Sequence, residues 1–213
     1  MNTHALLSFV QNNYDFRRAD LILSEGNLKK CWKQWLTAEL VHLFNGAKHV
    51  DNVQTEVHYL DAELKGDNDS VGEQPLQHYL QYHKKTGVNV VMEKRSASRC
   101  DFGFRWQGAA QMFEIRCGSS VPSINKKELL KFEEDIDRID ALKLKNPQLS
   151  IASIFAFYGI VTNKDAVLFK TIDNSRRCTF VLDSSLEGSS SIARLSQMKR
   201  AGEPRLCLAA YSA

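Results

Sequence analysis

One stretch of this chain constrains the fold more than any other. Cys100-Asp101-Phe102-Gly103-Phe104-Arg105-Trp106 and Gln111-Met112-Phe113-Glu114-Ile115-Arg116-Cys117 each alternate with the two-residue period of a strand. In the first, Phe102, Phe104 and Trp106 share one face, and Asp101, Gly103 and Arg105 the other. In the second, Phe113 and Ile115 oppose Met112, Glu114 and Arg116. Gln107-Gly108 between them is a hairpin turn sequence. With that turn, Trp106 pairs with Ala109, and the ladder carried back sets Asp101 opposite Glu114. Like charges directly opposite destabilise a sheet. A shared divalent cation would reverse that cost, so the pair points to a metal site.

The rest of the chain supplies elements around this hairpin. A short helix is expected over 5–12 and a longer one over 25–44, with Ser24 as N-cap and Asn45-Gly46 as the stop. At the helical period of ~3.6 residues, Leu28, Trp32, Trp35, Leu36 and Leu43 form one apolar stripe, with Glu39 in its middle. A carboxylate there is costly unless paired, hydrogen-bonded or metal-linked. Trp32 and Trp35 read as core rather than as base-stacking platforms, and Lys29, Lys30 and Lys33 as a solvated face, with phosphate contact as the alternative. Strands are expected over 53–60 and 88–95, a polar loop over 65–73 and a helix over 75–85.

A long helix over 126–145 follows the hairpin, capped by Asn125 with Glu128 at its third position. Leu129, Phe132, Ile136 and Ile139 form its buried stripe; Glu133, Glu134, Asp137 and Asp140 are mostly its wet face. Residues 151–161 are apolar on both faces, as a covered central strand would be. Further strands are expected over 166–172 and 178–182, a basic helix over 192–200 and a last apolar piece over 206–211.

Composition narrows the class. The chain has 213 residues, is 43% hydrophobic and 25% charged, and carries a net charge of +3, all ordinary for one globular domain. That charge permits a nucleic-acid partner without demanding one. The apolar runs fall short of the roughly 20 residues that span a bilayer, and the N-terminus lacks the pattern of a signal peptide. The five cysteines contain no C-x-x-C pair, and the six histidines no H-x-x-x-H pair. Reduced thiols in a cytoplasmic protein are therefore expected.

The order helix with Glu39, strand, strand with Asp101, strand with Glu114-Ile115-Arg116, helix, buried strand resembles the PD-(D/E)XK nuclease superfamily. The resemblance implies an α/β fold with a restriction-endonuclease-like αβββαβ core. A central mixed sheet flanked by helices would occupy about 25–161 of a single 1–213 domain, with extra C-terminal strands over about 162–213. It implies Asp101 as the motif aspartate, Glu114 as the following acid, Arg116 in the lysine position and Glu39 as the helix glutamate. Asp101, Glu114 and Glu39 would then be Mg²⁺ ligands, with Mn²⁺ as a substitute, in an enzyme hydrolysing phosphodiester bonds, foremost in DNA. Two departures stand out. Arg99-Cys100 precedes Asp101 where the family name has a proline. Arginine, with a pKa above roughly 12, cannot act as the general base that a lysine could be. Lys126, Lys127 and Lys131 are candidates to replace it.

Three alternatives remain open on the residues alone, the weakest of them a secreted or injected nuclease toxin. Asp101 and Glu114 also read as strand acids balanced by Arg99, Arg105 and Arg116. The chain also reads as a nuclease-like module without catalysis that binds nucleic acid or a protein partner, for example a toxin. A homodimer is compatible with either function.

Overall fold

The structure is a computed structural model that describes residues 1–26, 31–57, 99–145, 147–175, 179–186, 188–198 and 202–213. The loop, helix and strand expected between 65 and 95 lie outside the described residues, as do Leu28, Lys29 and Lys30.

Three helices open the chain: α1 (Thr3–Asn13), α2 (Phe16–Ser24) and α3 (Trp32–Asn45). α1 is the short helix expected over 5–12, α3 is the helix expected over 25–44 with a later start, and α2 was not expected. Gly26 adopts φ 69°, the left-handed turn that ends a helix and that a side chain disfavours, so α2 stops there. Ser24 belongs to the end of α2, where its hydroxyl donates to the Leu21 carbonyl. The buried line of α3 is Trp32, Leu36, Leu40 and Phe44, so Trp35 and Leu43 flank the core. As expected, α3 stops at Asn45, and the Gly46 N–H donates back to the His42 carbonyl.

The remaining elements are β1 (Val50–Thr55), β2 (Phe102–Trp106), β3 (Ala109–Gly118), α4 (Lys126–Lys145), β4 (Ser150–Gly159), α5 (Asn163–Ser175), β5 (Phe180–Asp183), β6 (Ile192–Arg194) and β7 (Arg205–Ser212). The strands form one seven-stranded mixed sheet in the order β1-β2-β3-β4-β7-β5-β6. Among the described residues, β3 and β4 are the parallel pair, and the other neighbouring pairs are antiparallel. A parallel pair needs a long crossover, which α4 provides. The fold is α/β, with helices on the sheet's faces.

Strand alternation separates those faces. Phe113 and Arg116 point to opposite sides of β3, and Arg116 pairs with Phe155 of β4. On the Phe113 side, Phe44 of α3 stacks on Phe104 at 4.5 Å, on Phe9 of α1 at 5.0 Å, and on Phe102 and Phe113 at 6.0 Å. On the Phe155 side, Phe132 of α4 stacks on Phe155, and Phe169 of α5 on Phe157, each at 5.5 Å. β4 is thus covered on both faces, as its sequence requires.

The C-terminal third departs from expectation. Residues 166–172 are helix, not strand: Phe169, Ile172 and Asp173 are buried at helical spacing. Asp165 fixes the start of α5, accepting from the N–H and hydroxyl of Thr162 and from the Ser123 N–H. The expected helix over 192–200 is instead β6 followed by a 3₁₀ turn, Leu195–Gln197. The last apolar piece is β7, which inserts between β4 and β5. Among the described residues, no helix is long and apolar enough to cross a membrane.

Candidate functional site

The hairpin forms with the expected turn and register. Gln107 and Gly108 have φ of 50° and 81°, the two positive values of the tight turn that matches strand twist. Five pairs run from Trp106↔Ala109 to Phe102↔Phe113. The ladder ends one pair short of Asp101 and Glu114. The Asp101 N–H donates to the Phe113 carbonyl at 3.0 Å, so Asp101 and Phe102 both address Phe113. Asp101 lies at a bend, outside β2.

A fork opens there. β3 continues to Gly118 beyond the end of β2, and Asp101 fills the gap with its side chain. Its Oδ2 accepts the Ile115 N–H at 2.7 Å. The N–H and C=O of one strand residue point toward the same neighbour, so the Ile115 carbonyl also faces the fork. The other Asp101 oxygen, Oδ1, lies 2.6 Å from Lys33 Nζ of α3.

On the α4 side the charges form a chain. Glu114 is buried and contacts Arg138 Nη2 at 2.7 Å. The same Arg138 nitrogen donates to Asp135 Oδ1 at 3.0 Å. Arg116 grips Asp135 with two bonds, Nε to Oδ2 at 2.6 Å and Nη2 to Oδ1 at 3.0 Å. Asp135 is buried, 2% exposed. The Asp135 hydrogen bond, reinforced by the charges of Asp135, Glu114 and Asp101, outweighs burial and pushes the Arg116 pKa above its already high ordinary value. Three acids, Asp101, Glu114 and Asp135, thus meet three cations, Lys33, Arg116 and Arg138.

The sequence-expected residues fall into two groups. Asp101, Glu114 and Arg116 gather at the fork. Glu39 does not join them: Arg18 of α2 holds it with two bonds, at 2.8 and 3.2 Å. That ion pair answers the cost of a carboxylate on the α3 stripe. Lys131 bonds Glu128 one turn back at 2.8 Å, and Lys126 and Lys127 are exposed. Lys33, Asp135 and Arg138 are the additions that the sequence reading missed. For Asp135 a signal existed, because it lies within the buried arc of α4, between Ile139 and Leu142 on the helical wheel. Lys33 carries no such mark.

The flanking thiols are not nucleophiles. Burial, with the nearby Glu114 and Asp101 charges, pushes Cys100 up to about 12. Burial likewise raises Cys117, and a protonated thiol is a poor nucleophile.

Among the described residues, no group of three or more His, Cys, Asp and Glu side chains is placed to hold a metal ion. Asp101 and Glu114 are hard oxygen donors, the usual protein ligand type for Mg²⁺, and each is already paired with a cation of the chain, Lys33 and Arg138. No protein-family model, curated protein or solved structure matches the chain.

Proposed function

We propose that this chain is a Mg²⁺-dependent nuclease of the PD-(D/E)XK type, cutting phosphodiester bonds, foremost in DNA. One observation carries the reading: Asp101 sits where β2 parts from β3, beside the Glu114-Ile115-Arg116 segment. The surrounding order supports it. Among the described residues, a helix, three antiparallel strands, a crossover helix and a strand parallel to the third run in the αβββαβ order.

Asp101 and Glu114 would hold the cation, with the Ile115 carbonyl as a further oxygen. A bound Mg²⁺ supplies Lewis acidity and a lowered water pKa. Arg116 fastens β3 to α4 through Asp135, and Arg138 holds Glu114 in place from the same helix. Glu39 has no part in this version of the site, because Arg18 takes it.

A second reading has its own observation. Each acid of the fork already has a cation from within the chain. A nuclease-like module that binds nucleic acid or a protein partner without cutting fits that balance.

Calorimetric titration with Mg²⁺ and Mn²⁺ separates the two, on the native chain and on Asp101→Ala/Glu114→Ala, each with and without an oligonucleotide. The nuclease reading expects binding that the double substitution abolishes, and cleavage reduced at least about 100-fold. Nucleic-acid retention with steep salt dependence, but no metal binding and no cleavage, would establish the binding module instead.

A further inference from the structure

We propose that the start of α4 and the exposed face of α5 form a docking surface for an anionic lipid bilayer, with aliphatic side chains entering the headgroup layer between lysines. The surface uses none of the fork residues and does not depend on the nuclease reading.

Two loops bring it together. β3 and β4 are parallel, so the loops that follow them leave the same end of the sheet, one leading into α4 and the other into α5. Val121, just after β3, packs against Gly159 at the end of β4. Asp165, in the first turn of α5, accepts the Ser123 N–H at 2.7 Å. Ile124 therefore stands beside the start of α5, and it is 75% exposed. Leu130, in the second turn of α4, is 58% exposed, and Val167, in the second turn of α5, is 65% exposed. Lysines lie one helical turn away on the same faces: Lys126 and Lys127 before Leu130, and Lys164 and Lys170 on either side of Val167.

All four lysines are exposed, and none pairs with an acid among the described residues. Elsewhere the protein neutralises its cations, Lys33 with Asp101, Arg194 with Asp173 and Arg205 with Asp183. The acids of these two segments are withdrawn. Asp165 and Asp173 are buried, and Glu128 is taken by Lys131. Along α4 the first exposed acid is Glu134.

The chemistry of the surface selects its partner. Exposed aliphatic side chains gathered together mark a contact with another apolar phase. A nucleic-acid backbone would match the lysines but leave Ile124, Leu130 and Val167 without apolar partners. Protein interfaces centre on Tyr, Trp, Phe, Met and Arg and are depleted in Lys, and no residue of those five types is exposed over 119–131 or 160–175. An anionic bilayer satisfies both halves of the surface. Its headgroups attract each nearby lysine by about fivefold in partitioning, and its interface takes aliphatic side chains to the boundary of the acyl chains. Such a contact is peripheral and needs no spanning helix.

The test is co-sedimentation of the full chain with vesicles of phosphatidylcholine alone and of equal parts phosphatidylcholine and phosphatidylserine. The native chain should bind the anionic vesicles and not the neutral ones, less tightly as salt rises. Lys127→Gln/Lys164→Gln should bind about 25-fold more weakly, two lysines at about fivefold each. Ile124→Ser/Val167→Ser keeps every charge and should still lose at least about tenfold, because less aliphatic surface leaves water. All four positions are exposed, so each variant should keep the native thermal midpoint, which separates lost binding from lost folding. A native chain that ignores anionic vesicles overturns the inference and leaves the surface to an acidic protein. Binding that survives both double substitutions also overturns it. Binding lost with the lysines but kept without the aliphatic pair, and matched by the same loss for a DNA duplex, would make the surface a phosphate track instead.

Discussion

Asp135 is the residue on which the α4 side of the fork turns. Its two oxygens take Arg116 and Arg138, and Arg138 passes the restraint on to Glu114. Arg116→Lys recreates the lysine of the resembled motif, and it discriminates between roles. A lysine cannot make the two-point grip, so stability should fall by about 1–3 kcal/mol in urea unfolding, and, on the proposed nuclease reading, cleavage should be no higher than native. Unchanged stability with faster cleavage would show that Arg116 acts in chemistry rather than in support. Asp165 is a second buried acid with a distinct duty. Burial would raise its pKa, but bonds from Thr162 and Ser123 outweigh it and hold it below the ordinary 3.8. A lowered folded pKa contributes stability above the unfolded value, and that stability is lost as pH falls through the folded one. Asp165→Asn should therefore cost about 2–4 kcal/mol at neutral pH. The gap to the native chain should close below pH 3.8, as followed by urea unfolding across an acid series. Residues such as Asp101 and Glu114 were legible in the sequence because strand alternation fixes where they point. Asp135 is legible in principle from its place in the buried arc of α4, although the acidic wet face beside it masks that signal.

At the level of elements, aromatic packing fixes how α3 meets the hairpin. Phe44 touches Phe9, Phe102, Phe104 and Phe113, and it lies on the same helix as Lys33. Phe44→Ala should cost about 3–5 kcal/mol, because the relaxed core cannot fill the hole. Phe44→Leu should cost less, through the smaller volume lost. Chemical denaturation measures both costs. The element type was legible wherever one period dominated, as in the hairpin and in α4. It was not legible over 166–172, where Ala166-Val167-Leu168-Phe169 reads as a strand until the Asp165 cap and the Ile172-Asp173 spacing are weighed. The division between α2 and α3 is hidden in the sequence because a lone glycine is tolerated inside a helical pattern as well as at its end, where Gly26 sits.

Strand order across the whole molecule cannot be read from local patterning, and here it changes what counts as the core. The sequence places the nuclease-like part at about 25–161 and treats the remainder as an extension. In the sheet, β7 pairs with β4 along eight residue pairs, from Ala152↔Ser212 to Gly159↔Arg205. It carries β5 on its other side, and through β5, β6. A chain cut after Val161 would leave β4 as an edge strand whose residues from Ile151 to Phe157 are all buried. A long apolar edge with unpaired N–H and C=O groups is a template for aggregation. The cut would also remove Tyr211, whose hydroxyl donates to Asp140 of α4, and Arg205, which forms a buried ion pair with Asp183. The shortened chain should therefore aggregate or remain unfolded, with no cooperative transition in thermal denaturation followed by circular dichroism. A soluble, cooperatively folding 1–161 fragment would instead show that the first four strands and their helices are stable without the C-terminal half of the sheet. The fork could then be studied in isolation. In the intact chain, Glu114 pairs with Ser153 across β3 and β4, and Ser153 pairs with Tyr211 of β7. β7 therefore stands two strands from the carboxylate proposed to hold the metal, with Ser153 of β4 between them.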